Sequence, residues 1–116
     1  MGFNVYFSEQ AADDLAETID YISNELCNPQ AAERLYNAID EKRELLREHP
    51  YMFPLYHDKK LSAEGYRFVA IGNFLMFYIV DEDKCVVNIA RILYGGRNIS
   101  SAFDELIRFS KRRAPA

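Results

Sequence analysis

Two arginines are written into apolar, strand-like runs of this sequence. Arg67 interrupts YRFVAI (66–71) and Arg91 interrupts VVNIARILY (86–94). A charge among aliphatic and aromatic residues needs a partner or a task. A guanidinium is always protonated and offers a planar fork of N–H donors, which suits phosphate or carboxylate oxygens held bidentately. The knot His57-Asp58-Lys59-Lys60 is a second concentration of charge. It lies in a connection, residues 50–65, that reads either as a packed loop over the sheet end or as a substrate-facing loop carrying Lys59 and Lys60. His49 and His57 have no evident place in a shared site and read as surface or packing residues. Cys27 and Cys85 match no metal or disulfide spacing and read as two buried free thiols in a reducing cytoplasm.

The elements that position the arginines follow from local pattern. Residues 66–98 hold three runs rich in Phe, Tyr, Val and Ile, parted by Gly72-Asn73 and by Asp81-Glu82-Asp83-Lys84. This is the signal of a β-meander. A two-residue turn at Gly72-Asn73 pairs Ile71 with Phe74 and Arg67 with Tyr78. A turn at Asp81–Lys84 pairs Val80 with Cys85, Tyr78 with Val87 and Phe74 with Arg91. Period-two alternation then puts Arg67, Tyr78 and Arg91 on one face and Tyr94 on the other. A one-residue slip in either turn reverses the assignment. Where Arg67 has no functional partner, it is a cation stacked on Tyr78 or paired with an acid.

Upstream, FNVYF (3–7) reads as a first strand and Ser8 as the N-cap of a helix. Ala12, Leu15, Ile19, Ile22 and Leu26 form its apolar stripe. Asn28-Pro29 starts a second helix striped by Ala32, Leu35, Ile39 and Leu46, which ends near His49-Pro50. The two make a helical hairpin that packs on one sheet face. The predicted order is β-α-α-β-β-β, an α+β fold of one domain over residues 1–116. A last helix is expected over Ile99–Phe109, followed by a frayed tail. One sheet face is core. The other, marked by Arg67, Tyr78 and Arg91 and bordered by Arg97, is the working surface.

Charge narrows the partners. Residues 1–48 carry 11 acids and 4 bases, net −7, and residues 49–116 carry 7 acids and 10 bases, net +3, which sum to −4. A uniformly basic nucleic-acid binder is excluded, and a basic patch is confined to the sheet and C-terminus. No apolar run is long enough to span a membrane, and MGFNVYFSEQ does not read as a secretory signal, so a cytoplasmic protein is expected.

The order of elements, the FSEQAADDL opening, the HP…P segment at Glu48–Pro54, Tyr66-Arg67 and the Ile89–Arg97 run IARILYGGR together resemble the RelE/ParE superfamily of bacterial toxins from type II toxin–antitoxin systems. The resemblance spans residues 3 to about 98. It implies a toxin neutralised by a cognate antitoxin whose disordered segment folds on binding, with either DNA gyrase or the ribosome and its mRNA as target. A homodimer is left open. In the RNA-cleaving members the 2′-OH is the nucleophile, so no metal or cofactor is implied. Arg67 and Arg91 match the arginines that stabilise the phosphorane, Tyr94 matches the His or Tyr near the strand end, and Lys59 and Lys60 loosely match basic residues before the second strand. Arg67, Tyr78, Arg91, Arg97, Lys59 and Lys60 make up the implied target-binding set. Acidic net charge, an ILYGGRN ending and the lack of an acid–base pair favour a ParE-like, gyrase-binding toxin. The alternative is a RelE-like ribosome-dependent mRNA endoribonuclease.

Overall fold

The computed structural model describes residues 2–95 and 99–113. Strands β1 (Asn4–Phe7), β2 (Arg67–Ile71), β3 (Phe74–Asp81) and β4 (Val86–Tyr94) form one sheet in the spatial order β1-β4-β3-β2. The meander β2-β3-β4 is antiparallel, and β1 lies parallel to β4 at the sheet edge. Between β1 and β2 run α1 (Glu9–Asp20), a π-helical turn (Tyr21–Glu25), α2 (Pro29–Glu48) and the short α3 (Lys59–Glu64). After β4 come a 3-10 turn (Ile99–Ala102) and α4 (Phe103–Arg113). No helix among the described residues is long and apolar enough to cross a membrane.

Both sheet faces are covered. Against one, α1 and α2 bury Ala11, Ile39 and Leu46 on Val69, Ile71, Met76, Tyr78, Val87 and Ile89. Against the other, α3 and α4 bury Leu61 and Leu106 on Tyr66, Phe77, Ile79, Ala90 and Leu93. The open working face expected around Tyr78 is therefore corrected. Tyr78 is 0% exposed within the hairpin-side core, and the opposite apolar face is shielded by the C-terminal helix. Burying both faces explains why β3 and β4 are apolar at almost every position instead of alternating.

The first hairpin has the expected register, with Arg67 opposite Tyr78 and Ile71 opposite Phe74. The second differs in two steps. Its turn takes in Cys85, whose φ is +54°, so Val80 pairs with Val87 and Tyr78 with Ile89. The Asp81 side chain, accepting from Lys84 N at 3.2 Å, and Cys85 N, donating to Glu82 O at 3.2 Å, hold that turn. This two-residue slide leaves the faces unchanged. A β-bulge then inserts Ala90, so Phe77 pairs with Arg91 and Phe74 with Tyr94. One extra residue swaps the faces beyond it, and Arg91 moves to the Phe77 side, opposite from Arg67 and Tyr78.

Helix starts follow the capping residues. Ser8 Oγ accepts from Ala11 N at 3.0 Å, and Asn28 Oδ1 accepts from Ala31 N at 3.1 Å ahead of Pro29. The charged knot proves to be a third start. Asp58 Oδ2 accepts from Leu61 N at 3.1 Å, so Lys59 and Lys60 open α3, which stops at Gly65 with φ +95°. Cys27 and Cys85 are free but exposed, correcting the expectation of burial; each occupies a left-handed turn position. Lys111–Arg113, expected in the frayed tail, continue α4.

Ser8 joins helix and sheet. Its hydroxyl also donates to Ala90 O at 2.8 Å, and its amide donates to Ile89 O at 2.9 Å. Replacing Ser8 with Ala removes the cap and orphans the bulge carbonyl, so urea denaturation should show a loss of about 1–2 kcal/mol with an unchanged m-value. An unshifted midpoint would remove Ser8 from this role.

Candidate functional site

Arg91 occupies the place where β1 has ended and β4 runs on beside α1. Asp14, on α1, grips it as a fork: Arg91 Nε donates to Oδ2 at 2.7 Å and Nη2 donates to Oδ1 at 2.9 Å. The same Oδ2 accepts from Ile92 N at 3.0 Å, taking up a β4 amide that has no strand to pair with. From α4, Glu105 Oε1 accepts from Arg91 Nη1. Side-chain exposure is only 15% for Arg91 and 11% for Asp14, so the pair is well shielded. The arginine pKa rises further above its ordinary value, chiefly through the hydrogen bonds to Asp14, with burial opposing and Glu105 adding to the rise.

Arg67 is engaged by a different group. Its Nη1 donates to Phe53 O at 2.7 Å and more weakly to Tyr51 O at 3.4 Å, and its guanidinium carbon lies 5.1 Å from the Tyr51 ring centroid. The stacking partner is Tyr51, not the Tyr78 expected from the register. Tyr51 Oη in turn donates to Glu82 Oε1 at 3.1 Å. Tyr78 Oη donates to Pro50 O at 3.0 Å inside the core. Desolvation pushes its pKa up to about 12, against the opposing influence of Arg67 and a backbone hydrogen bond from Phe53. At neutral pH it is a locked phenol, neither base nor phenolate.

The predicted set is thus divided. Arg67 and Tyr78 are neighbours beneath the 50–55 segment, while Arg91 lies on the other face between α1 and α4. Lys59 and Lys60 are exposed on α3. Arg97 lies outside the described residues. Tyr94 is exposed at the end of β4, edge-to-face with Phe74 at 5.6 Å between centroids. It lines an open cleft of about 750 Å³ between α1, the π-helical turn and the strand ends. His57 stacks on Tyr56, and His49 caps α2. Among the described residues no cluster of His, Cys, Asp and Glu has the arrangement of a metal site.

Sequence reasoning missed Asp14, Glu105 and Tyr51. Asp14 had at most a partial signal. It is an acid in the first turns of an apolar-striped helix, but the stripe from Ala12 through Leu26 leaves it to one side. Only the burial of Ala11 in the fold shows that its side of the helix faces inward. Such an acid calls for a buried cation. Glu105 and Tyr51 had no comparable signal.

Two measurements test these assignments. Asp14→Ala leaves Arg91 and Ile92 N short of acceptors and should cost about 3 kcal/mol. Adding Arg91→Met should recover part of that loss, and strictly additive effects would show the pair to be uncoupled. For Tyr78, the proton is held more tightly in the folded state, at about 12, than at the ordinary value of 10.0. The folded state therefore binds more protons between those values, and stability should fall as pH rises through that window. Tyr78→Phe should flatten this fall in alkaline unfolding. It should not abolish it, because Tyr51 and Tyr56 are also raised, first of all by desolvation.

Comparison with known proteins agrees with this architecture. The family model described as ParE toxin of type II toxin-antitoxin system, parDE, matches residues 5–99. A search of curated proteins found no significant match. Among solved structures, the chromosomal ParDE system of P. aeruginosa superposes with a TM-score of 0.64 at 19% identity, covering 79% of this chain and 95% of that one. A mutant of the E. coli toxin RelE in the free state gives 0.64 at 15% identity, with coverage of 98% and 100%. The RelBE2 toxin–antitoxin complex of Mycobacterium tuberculosis gives 0.59 at 17% identity, with coverage of 81% and 92%. These structural likenesses carry the fold. The family match covers most of the chain, and the chain belongs to the ParE toxin family of type II toxin–antitoxin systems, within the RelE/ParE superfamily.

Proposed function

We propose that this toxin arrests growth by binding DNA gyrase and that a cognate antitoxin neutralises it. The observation that carries the gyrase reading is the engagement of both strand arginines within the chain. Cleaving RNA without a metal requires cations free to meet the charge on a phosphorane. Arg91 is forked onto Asp14 and bonded to Glu105, and Arg67 is held by two backbone carbonyls and an aromatic ring. They also lie on opposite faces, so one phosphate could not meet both. Tyr94 opens onto a cleft whose rim carries the Glu17 carboxylate, which is in no ion pair among the described residues, an environment unsuited to a polyanion. The antitoxin reading is supported by family membership and by the toxin–antitoxin complexes among the structural relatives.

Purified toxin should block supercoiling by purified gyrase, while 5′-end mapping of mRNA from cells expressing it should find no new cuts. Because Arg91→Ala would loosen the fold, Arg67→Lys and Tyr94→Phe serve as the conservative variants. In-frame cuts that disappear in Tyr94→Phe, together with normal supercoiling, would overturn the gyrase reading in favour of the ribosome.

A further inference from the structure

The cleft beside Tyr94 is shaped by an irregularity in the first helix. The sequence predicts one stripe from Ala12 to Leu26. The structure divides it. Ala12, Leu15 and Ile19 line the seam between α1 and α2, whereas Ile22 and Leu26 turn to the strand ends. The change of direction coincides with the π-helical turn Tyr21–Glu25, whose wider winding shifts the helical phase; Leu26 N bonds back to Tyr21 O at 3.0 Å. A helix that kept its α winding would bury these residues along the hairpin.

The resulting cleft has an apolar floor and an acidic rim. Phe74, Ile92 and Ile22 form the floor. Tyr21 and Leu26, each 55% exposed, and Tyr94, 47% exposed, stand around it. Large side chains left this open in one place mark a docking surface more often than a solvated face. Glu17 lies on the rim and enters none of the ion pairs among the described residues, in contrast to Asp14, which is spent on Arg91. Two tyrosine faces and a free carboxylate are complementary to a cation that carries its own apolar stem. The concavity favours an inserted segment over a preformed flat surface, and its volume of about 750 Å³ is in the range that encloses several side chains.

We propose that this cleft receives a segment of the cognate antitoxin in which a lysine or arginine adjoins a large apolar residue. The apolar side chain packs on Phe74 and Ile92, and the cation lies between Tyr21 and Tyr94 with Glu17 as its counter-charge. The inference rests on the antitoxin reading above and is independent of the toxin's target.

The test uses full-length toxin and the protein encoded by the gene adjoining its own. Titration calorimetry at low and high salt compares wild type with Glu17→Lys, Tyr21→Ala and Tyr94→Ala. Tyr36→Ala, in the separate groove between α1 and α2, and Arg108→Glu, on α4, are the controls. Each cleft variant should weaken binding at least about tenfold, with wild-type affinity falling as salt rises. The controls should bind as wild type does. Reversing one basic antitoxin residue to Glu should restore affinity for Glu17→Lys. All replaced side chains are exposed or half-exposed, and circular dichroism verifies the fold. If wild type binds but the cleft variants bind equally well, the inference falls and the antitoxin reading stands. If wild type does not bind, both fall. Should the cleft variants lose gyrase inhibition while keeping antitoxin affinity, the cleft belongs to the target and the inference is overturned.

Discussion

The bidentate grip of Asp14 on Arg91 is the contact on which the three layers depend. Strand β1 pairs with β4 only as far as Phe7 opposite Ile89. Beyond that point β4 presents backbone groups with no strand beside them, and buried peptide groups must be satisfied. The first helix supplies what the missing strand does not. Ser8 takes the Ala90 carbonyl, and Asp14 takes the Ile92 amide together with the Arg91 guanidinium. Glu105 adds the last helix to the same cation. A shielded ion pair of this kind gains little net stability over well-packed apolar groups, but it penalises every arrangement in which one member is left alone. Its contribution is therefore to alignment: it fixes where α1 and α4 sit relative to the end of β4.

That alignment changes the meaning of the strand arginines. Read along the chain, Arg67 and Arg91 are two phosphate-ready cations. In the fold, Arg91 has all three of its nitrogens on carboxylates, Arg67 is held through Nη1 by backbone carbonyls and by the Tyr51 ring, and the bulge at Ala90 sets them on opposite faces. The C-terminal helix reinforces the point. Tyr66 Oη donates to Leu106 O at 2.6 Å, and Ser110 Oγ donates to Glu64 Oε1 at 2.6 Å, so α4 is tied to the sheet and to α3 at several places along its length. The hydrogen bond from Ser110 is the main reason the Glu64 carboxyl titrates below its usual range.

How far the fold was legible depends on whether each signal was local. Capping residues, proline positions and apolar periodicity act within one or two turns, and they placed α1, α2, the Gly72-Asn73 hairpin and the last helix. The first hairpin register followed from a two-residue turn with little latitude. The second failed because its turn admits Cys85 in a left-handed conformation, which β-carbon sterics ordinarily disfavour, and because nothing in VVNIARILY marks Ala90 as a bulge. The bulge is stabilised by Ser8 and Asp14, more than seventy residues away in sequence, so its cause is tertiary. The faces beyond it were consequently exchanged, and with them the side on which Arg91, Ile92 and Leu93 point.

One ridge of α1 unites the structural and the open parts of this region. Asp14, Glu17, Thr18 and Tyr21 follow one another at helical spacing along the same side. At its inner end the ridge delivers a carboxylate to the sheet, where it is neutralised. One turn further the next carboxylate meets solvent, and the π-helical turn then swings Tyr21, Ile22 and Leu26 around the strand ends. The acidic character of residues 1–48, net −7, is thus not spread as an indifferent solvated coat. Part of it is consumed in assembling the fold, and the part that remains beside Tyr94 borders apolar surface, where a lowered local dielectric makes a single charge count for more than it would on an open helix face.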